Sequence, residues 1–307
     1  MATKRPWIDT HIHVSDIGCD GVRREHMLDD LLDVLERSGA DLRFVISCDF
    51  PYITNMKSDS NAIRAGNEMI WDLVSRAPDR LYGSCTVNPG FLDESLKVME
   101  RCFGQWGFVQ LGEMLPYIMG YRMDDAASVR LVREAVSYGV PVQVHIGTYW
   151  VRNAGPSAAA IQQLEELLNV AEQVPDAKYI LAHAIGCGPT AAYVPWADMI
   201  LDAIFAVFGS WPQNFWIEIR DFHCPALPRV LCEVPTDRLL AGTDWTTRKG
   251  PPFQAYGTMF DVKESDTPFP PRVESFVGFL RAAGASEESI WRIGFENARE
   301  LLHLPRR

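Results

Sequence analysis

Two histidines stand one residue apart in the apolar stretch WIDTHIHV, residues 7–14. Alternate side chains of a β-strand share one face, at a spacing of about 6.6 Å along the strand, so His11 and His13 can converge on one ion. The pair alone is weak evidence, because a buried histidine is also satisfied by a neighbouring backbone carbonyl. The question is which other residues of the chain could join it.

Four more polar residues lie near the carboxyl ends of predicted strands. They are His145 in PVQVHIG, His183 in KYILAHA, Glu113 in FVQLGEM and Asp244 in LLAGTD. Burying so many imidazoles and carboxylates together would be costly without a cation. Imidazole with carboxylate suits zinc, iron or manganese better than calcium or magnesium, which prefer oxygen ligands. The set therefore predicts a divalent metal site, with zinc as first choice and one or two ions.

Short apolar runs recur roughly every 25–40 residues, and each is followed by a segment with helical periodicity, the pattern of repeated βα units. Amphipathic outer helices are predicted at 26–39, 128–139 and 159–173. Eight such units predict an α/β fold, a (β/α)₈ TIM barrel in one domain spanning residues 1–307, with its active face at the strands' carboxyl ends. The predicted strands are 7–14, 44–49, 81–87, 108–114, 141–147, 178–184, 215–220 and 239–244.

The chain after the eighth predicted strand divides into a loop and two helices. Residues 246–271 are rich in proline and polar side chains, which predicts a long loop over the active face. Helices are predicted at 272–284 and 286–304, with Ser286 as the N-cap of the second. These two helices are expected to close the barrel.

The amino-acid composition of the chain indicates which kinds of partner it could bind. The chain has 40 acidic and 29 basic residues and a net charge of -11, which disfavours a phosphate backbone as ligand. The N-terminus lacks the apolar core of a signal peptide, and the sequence holds no uncharged apolar run long enough to span a bilayer. Seven cysteines without a CxxC motif indicate neither a disulfide framework nor a zinc ribbon. We expect a cytoplasmic protein that binds a small molecule, not nucleic acid or membrane, and a homo-oligomer is compatible with the sequence.

The order of these motifs resembles the amidohydrolase superfamily: HxH on strand one, histidine on strands five and six, and aspartate on strand eight. The motifs THIHV, VHIG, LAHAIG and GTDW are most similar to its amidohydrolase-related branch, amidohydrolase family 2. The resemblance runs from Ile8 to the closing ENARELL. It implies a distorted TIM barrel that binds one or two divalent metals and catalyses hydrolysis or, in some members, non-oxidative decarboxylation.

The resemblance also implies roles for individual residues. His11, His13 and His145 would be metal ligands, and Asp244 a ligand that also takes the proton of the attacking water. His183 would be either a ligand of a second metal or an acid/base group that polarises the substrate. Many two-metal members bridge their ions with a carboxylated lysine on strand four, where this chain has none. Glu113 would then be either the bridging ligand or a carboxylate that supports the ligands or caps a helix.

Arginine and aromatic residues follow several of the predicted strands. Arginine can hold a carboxylate through two parallel hydrogen bonds, and aromatic rings can cover a planar body. A small organic acid is therefore the predicted substrate. The candidate substrate-binding residues are Trp150, Arg152, Arg220, Trp245 and Arg248, with Tyr149, Tyr121 and Arg122 as further candidates.

Three functions compete on this evidence. The sequence favours a metal-dependent hydrolase of a carbon–nitrogen, lactone or ester bond that uses metal-activated water. The alternative is a decarboxylase or hydratase of a conjugated or aromatic carboxylate, similar to aminocarboxymuconate-semialdehyde decarboxylase. A single bound metal, an unoccupied Glu113 and an arginine beside the metal would support this alternative, whereas Glu113 at bonding distance from a second ion would support hydrolysis. A catalytically silent scaffold is disfavoured because all six polar positions are present.

Overall fold

The computed structural model describes residues 4–18, 20–146, 158–185, 196–222, 224–247 and 273–305. Its strands are parallel and alternate with helices, and each of the eight predicted strands is confirmed to within a few residues. The strands are β1 (Pro6–Val14), β2 (Asp41–Cys48), β3 (Leu81–Cys85), β4 (Gln110–Met114), β5 (Val142–His145), β6 (Tyr179–Ile185), β7 (Phe215–Ile219), β8 (Leu239–Ala241) and β9 (Trp245–Thr246).

The two ends of the sheet meet in one chain segment. The sheet order is β8-β7-β6-β5-β4-β3-β2-β1-β9, and β9 follows β8 after only three residues, 242–244. The first part of this segment pairs with β7 and the second with β1. Within the break, the backbone N–H of Asp244 donates to the carbonyl of His11 at 2.9 Å. This arrangement is what the predicted (β/α)₈ barrel requires.

Helices follow the strands, and the amphipathic segments predicted from sequence are among them. The helices are α1 (Met27–Arg37), α2 (Phe50–Met56), α3 (Ser60–Arg76), α4 (Leu92–Gly104), α5 (Pro116–Met119), α6 (Ala126–Tyr138), α7 (Ala158–Gln173), α8 (Trp196–Phe208), α9 (Leu227–Glu233), α10 (Val273–Ala282), α11 (Glu287–Trp291) and α12 (Asn297–Leu301). Among the described residues, no helix is both long and apolar enough to cross a bilayer.

The predicted closing helices are confirmed. The predicted helix 286–304 consists of α11, a π-helical turn at Arg292–Glu296, and α12. Ser286 caps α11, as its hydroxyl accepts the backbone N–H of Ser289 at 3.1 Å. Apolar side chains of this last segment form one buried cluster with side chains from five strands: Phe295, Ala298, Leu301, Leu302 and Leu304 cluster with Ile8, Val45, Ile180, Trp216 and Leu240. Most of the predicted loop 246–271 lies outside the described residues.

Candidate metal centre and active site

The strands are irregular where they carry the candidate residues. Register shifts fall between Asp9 and Ile12 in β1, between Leu111 and Met114 in β4, and between Leu181 and Ile185 in β6. These intervals contain His11, Glu113 and His183, respectively. Such bulges re-aim side chains next to functional sites.

Two of the candidate residues also have left-handed backbone conformations. The φ angles are 63° at His183 and 55° at Asp244. A residue other than glycine in this region costs on the order of 1–3 kcal/mol, and it persists only where the surrounding structure enforces it. The backbone is thus strained at two of the positions predicted to do chemistry.

A cavity of about 220 Å³ opens among these residues. Six predicted site residues line it, and His11 lies directly against them. Its lining combines apolar and aromatic side chains with the imidazoles and carboxylates. The lining residues are His13, Phe50, Ile53, Glu113, Leu115, Tyr117, His145, His183, Arg220 and Asp244.

Four donor atoms surround one position beside this cavity. His11 Nε2 lies 3.2 Å from His13 Nε2, 3.4 Å from Glu113 Oε2 and 3.6 Å from Asp244 Oδ1. His13 Nε2 lies 3.2 Å from Glu113 Oε2 and 3.4 Å from Asp244 Oδ1. Two atoms that bind one ion at about 2.1 Å are roughly 3.0–3.4 Å apart at octahedral or tetrahedral angles. The spacing therefore fits a single divalent ion, and His11, His13 and Asp244 form one of the groups able to hold it.

The hydrogen bonds of the two histidines support the same conclusion. His11 Nδ1 lies 2.9 Å from the Glu218 carboxylate, and His13 Nδ1 lies 3.1 Å from the carbonyl of Cys48. Both acceptors favour the tautomer with the proton on Nδ1, so each Nε2 presents a lone pair to the shared position. In that tautomer the two lone pairs face each other at 3.2 Å, an arrangement that a positive charge between them, a proton or a metal ion, stabilises. The donor set thus fits a metal ion.

His145 and His183 meet the other oxygen of Glu113. Glu113 Oε1 lies 2.7 Å from His145 Nδ1 and 3.0 Å from His183 Nε2. The Glu113 carboxylate therefore lies between two sets of imidazoles. His11, Glu113 and His183 form a second group whose ligand atoms are close enough for an ion.

Burial disfavours the charged form of each of these groups, so charged and hydrogen-bonding neighbours determine whether its pKa is raised or lowered. Burial lowers the pKa of His11, but Glu218 and Glu113 together raise it well above its usual value. Burial raises the pKa of Glu113, but His11 and His145 hold it well below the usual value. At His183 burial dominates and lowers the pKa to about 4. The site thus combines ionised carboxylates with one imidazole that is neutral at pH 7.

The family model described as amidohydrolase matches residues 8–304, nearly the whole chain. The chain belongs to the amidohydrolase family. Membership makes it a metal-dependent enzyme of the amidohydrolase superfamily, which agrees with the donor set described above. No curated protein matches the chain.

Solved structures with similar folds include decarboxylases and a hydratase. Dihydroxybenzoic acid decarboxylase from Polaromonas sp. JS666, with bound manganese and the inhibitor 2-nitroresorcinol, is 18% identical over 100% of this chain and 98% of that one, with a TM-score of 0.65. 2,6-Dihydroxybenzoate decarboxylase from Rhizobium is 17% identical over 98% and 99%, with a TM-score of 0.63. 4-Oxalomesaconate hydratase from Rhodopseudomonas palustris is 14% identical over 97% and 96%, with a TM-score of 0.63. At these identities the likeness shows the shared fold.

Not all of the candidate substrate-binding residues of this amidohydrolase-family chain line the cavity. Arg220 lines the cavity and is hydrogen-bonded to Asp244. Trp245 does not line it, because its fully buried ring packs against Phe44, with 6.1 Å between the ring centroids. Tyr121 and Arg122 are also outside the described lining. Tyr149, Trp150, Arg152 and Arg248 lie outside the described residues.

The structure adds site residues that the sequence interpretation missed. Glu218, on β7, is fully buried and pairs with His11. Asp9 is fully buried as well, and its carboxylate accepts the backbone N–H groups of His11 and Thr243, both at 3.0 Å. Asp9 thereby ties β1 to the residue that precedes Asp244. A signal existed for both, since each is a carboxylate next to apolar residues within a predicted strand, Asp9 after Ile8 and Glu218 between Ile217 and Ile219.

Tyr117 is a further residue that the sequence interpretation did not single out. Its ring lies over the His145 imidazole, with 4.4 Å between the centroids and 30° between the planes, and it also lines the cavity. It therefore contributes an aromatic surface next to the imidazoles and carboxylates.

Proposed function

We propose that this chain is a metal-dependent, non-oxidative decarboxylase of a small aromatic or conjugated carboxylate. Sequence reasoning favoured hydrolysis and kept decarboxylation as the alternative. We now prefer decarboxylation because the Arg220 guanidinium lines the cavity beside the Asp244 carboxylate. The decarboxylases among the similar solved structures support this class of substrate.

His11, His13 and Asp244 would hold the ion, with Glu113 as fourth ligand. Zinc is the first choice from ligand types, and the manganese of one similar structure supports manganese as well. When bound, such an ion supplies positive charge that can orient substrate oxygens and lower the pKa of a bound water.

The cavity walls would bind the rest of the substrate. The Arg220 guanidinium donates to Asp244 from Nε and Nη2, and its remaining N–H groups would donate to the acid group of the substrate and hold it next to the metal position. Phe50, Leu115 and Tyr117 offer apolar and aromatic surface for a planar body. This wall also excludes water, which favours the loss of a charged carboxylate as neutral carbon dioxide.

Decarboxylation requires a proton at the carbon that loses carbon dioxide, and His183 is the candidate to carry it. Its Nε2 is 3.0 Å from Glu113, while its buried Nδ1 makes no hydrogen bond within the described part of the chain. Nδ1 faces Asp244 Oδ2 at 3.8 Å. With its pKa lowered to about 4, His183 is neutral at pH 7; its Nδ1 would take a proton from water and, once protonated, would be a strong acid that donates it to the carbon.

Hydrolysis is the second candidate, and one observation favours it. Glu113 uses both carboxylate oxygens, one toward His11 and His13 and the other toward His145 and His183. A carboxylate that bridges two ions would have the same placement. In that case Asp244 would accept the proton of the attacking water.

One experiment separates the two candidates. Elemental analysis of the purified protein gives the metal per chain, and a screen compares carbon dioxide release from dihydroxybenzoates and muconate-type acids with hydrolysis of lactones and amides. One ion per chain with carbon dioxide release supports the proposal. Two ions with turnover of lactones or amides only would reject it in favour of hydrolysis.

A double variant tests the metal assignment. His11→Ala/His13→Ala should lose both metal and activity while circular dichroism still shows a folded barrel. The matched control is His26→Ala, because His26 is exposed at the start of α1. Metal retained at the wild-type ratio in the double variant would exclude these ligands.

A further inference from the structure

A group of buried polar side chains from four strands lies next to the candidate metal position. Thr10, Gln110, Gln143 and Glu218 come from β1, β4, β5 and β7, and each is at most 1% exposed. Gln110 Nε2 donates to the side-chain oxygen of Gln143 at 3.1 Å and to the carbonyl of Thr10 at 3.3 Å. This network links four strands inside the barrel.

The two carboxylate oxygens of Glu218 have different partners, one in this network and the other on His11. Its Oε1 accepts the Thr10 hydroxyl at 3.0 Å and the Gln143 amide at 2.5 Å. Its Oε2 faces His11 Nδ1 at 2.9 Å. The two neutral donors hold the carboxylate in one orientation, and that orientation aims the second oxygen at the imidazole.

The backbone around Glu218 leaves room for this arrangement. Gly242 lies between β8 and β9, and a Cβ atom there would be 2.8 Å from Glu218 Cδ. Any larger residue at position 242 would push the carboxylate away from its place. A fully buried carboxylate is destabilising unless it is paired and hydrogen-bonded, which indicates that Glu218 has a role beyond packing.

We propose that Glu218 is a positioning residue of the metal centre. Glu218 accepts a hydrogen bond from His11 Nδ1–H, and this bond fixes the tautomer and the ring orientation in which His11 Nε2 faces the ion. The negative charge of Glu218 also makes Nε2 a stronger ligand. Glu218 itself contacts neither ion nor substrate. The inference rests on the proposed metal centre and is independent of which reaction the centre catalyses.

Glu218→Gln in the full-length protein tests this role. The glutamine keeps the size of the side chain and can still accept a hydrogen bond, but it lacks the charge. We expect zinc to bind about 10–100-fold more weakly, measured by competition with a chromogenic chelator. We also expect a changed visible spectrum in the cobalt(II)-loaded protein. Zinc affinity within twofold of wild type together with an unchanged cobalt spectrum would overturn the proposal.

Glu166→Gln is the matched control. Glu166 is also a buried glutamate, on α7, but it accepts the backbone N–H of Met123 at 2.9 Å and contacts no histidine in the described structure. Its loss should lower the melting temperature and leave zinc affinity unchanged. An equal loss of zinc affinity in both variants would show a general effect of stability and would also overturn the proposal.

Two further measurements keep the test decisive. Where Glu218→Gln does not fold, Glu218→Asp keeps the charge but withdraws it from His11, and the same loss of zinc affinity is expected. Wild-type-like zinc binding by this variant would contradict the role. If the wild type binds zinc but turns over only lactones or amides, the proposed decarboxylase function fails while the role of Glu218 stands.

Discussion

Arg220 donates from both Nε and Nη2 to one oxygen of Asp244, Oδ2, at 3.1 and 2.8 Å. The other oxygen, Oδ1, faces His11 Nε2 and His13 Nε2 at 3.6 and 3.4 Å. The guanidinium therefore determines which oxygen Asp244 presents to the histidines. Burial raises the pKa of Asp244, but Arg220 and the nearby histidines lower it to about 2. Asp244 is ionised at every pH at which the protein would work.

Arg220→Lys should weaken the binding of a carboxylate substrate while the metal remains. A single ammonium cannot reproduce the planar fork that guanidinium offers to a carboxylate. We expect KM to rise at least about tenfold, which corresponds to about 1.4 kcal/mol. Steady-state kinetics and elemental analysis measure the two effects. Arg130→Lys, an exposed arginine of α6, is the control, and an unchanged KM in Arg220→Lys would argue against substrate contact.

The sequence predicted which residues meet, because strand order and strand ends follow from local patterns. Apolar runs locate the strands, and the carboxyl ends of parallel strands share one rim. His145 on β5 and Asp244 after β8 could therefore be assigned to the same site without knowledge of the contacts. The structure agrees, since both line one cavity.

The finer geometry depends on pairing between distant segments, which local patterns do not contain. Simple alternation predicts His11 and His13 on one face, but β1 has a bulge between Asp9 and Ile12 that depends on its register with β2. Trp245 follows Asp244 directly, yet the chain turns at Asp244, where φ is 55°, and then enters β9 with the Trp245 ring in the core. Glu218 acquires its role from His11, 207 residues away.

Asp244→Asn should separate metal binding from turnover. The amide keeps an oxygen that can face the ion, so much of the metal should remain. It loses the charge that pairs with Arg220 and faces the ion and, for hydrolysis, the capacity to accept the proton of the attacking water, so we expect kcat to fall by about 100-fold or more, on the order of 3 kcal/mol. Rapid-quench kinetics on protein of known metal content measures this. Turnover near the wild-type rate would exclude Asp244 from the chemistry.

Metal binding should release a proton. Burial lowers the pKa of His11, but Glu218 and Glu113 raise it well above its usual value, so without an ion His11 carries a proton at pH 7. An ion must displace it, and the apparent affinity should rise with pH until the raised pKa of His11 is passed. Calorimetric titration of zinc in buffers of different ionisation enthalpy should report at least about one proton released per ion at pH 7, because burial lowers the pKa of His13 too, but Glu113 and Asp244 raise it above its usual value. A binding enthalpy independent of the buffer would contradict this.

Gly294→Ala should destabilise the barrel far from the candidate site. Gly294 lies in the π-helical turn before α12, and a Cβ atom there would be 2.3 Å from the Trp7 ring. Trp7 is fully buried beside Phe222 and Phe276, so its ring has little room to move. Overpacking of this kind costs about 1–3 kcal/mol, which thermal or urea unfolding can measure.

Gly278→Ala should have the opposite effect on the stability of the protein. Gly278 is exposed on α10, and a Cβ atom there would meet nothing within 4 Å. Alanine should therefore stabilise the protein by about 0.4–1 kcal/mol, because it restricts the unfolded chain more than glycine does. If the two substitutions change the free energy of unfolding in opposite directions, close packing on Trp7 is the reason that position 294 requires glycine. A general preference for alanine or glycine would not give opposite signs. Two stabilising substitutions would mean that the Trp7 ring can shift, and that the last segment packs less tightly on the barrel than its contacts indicate.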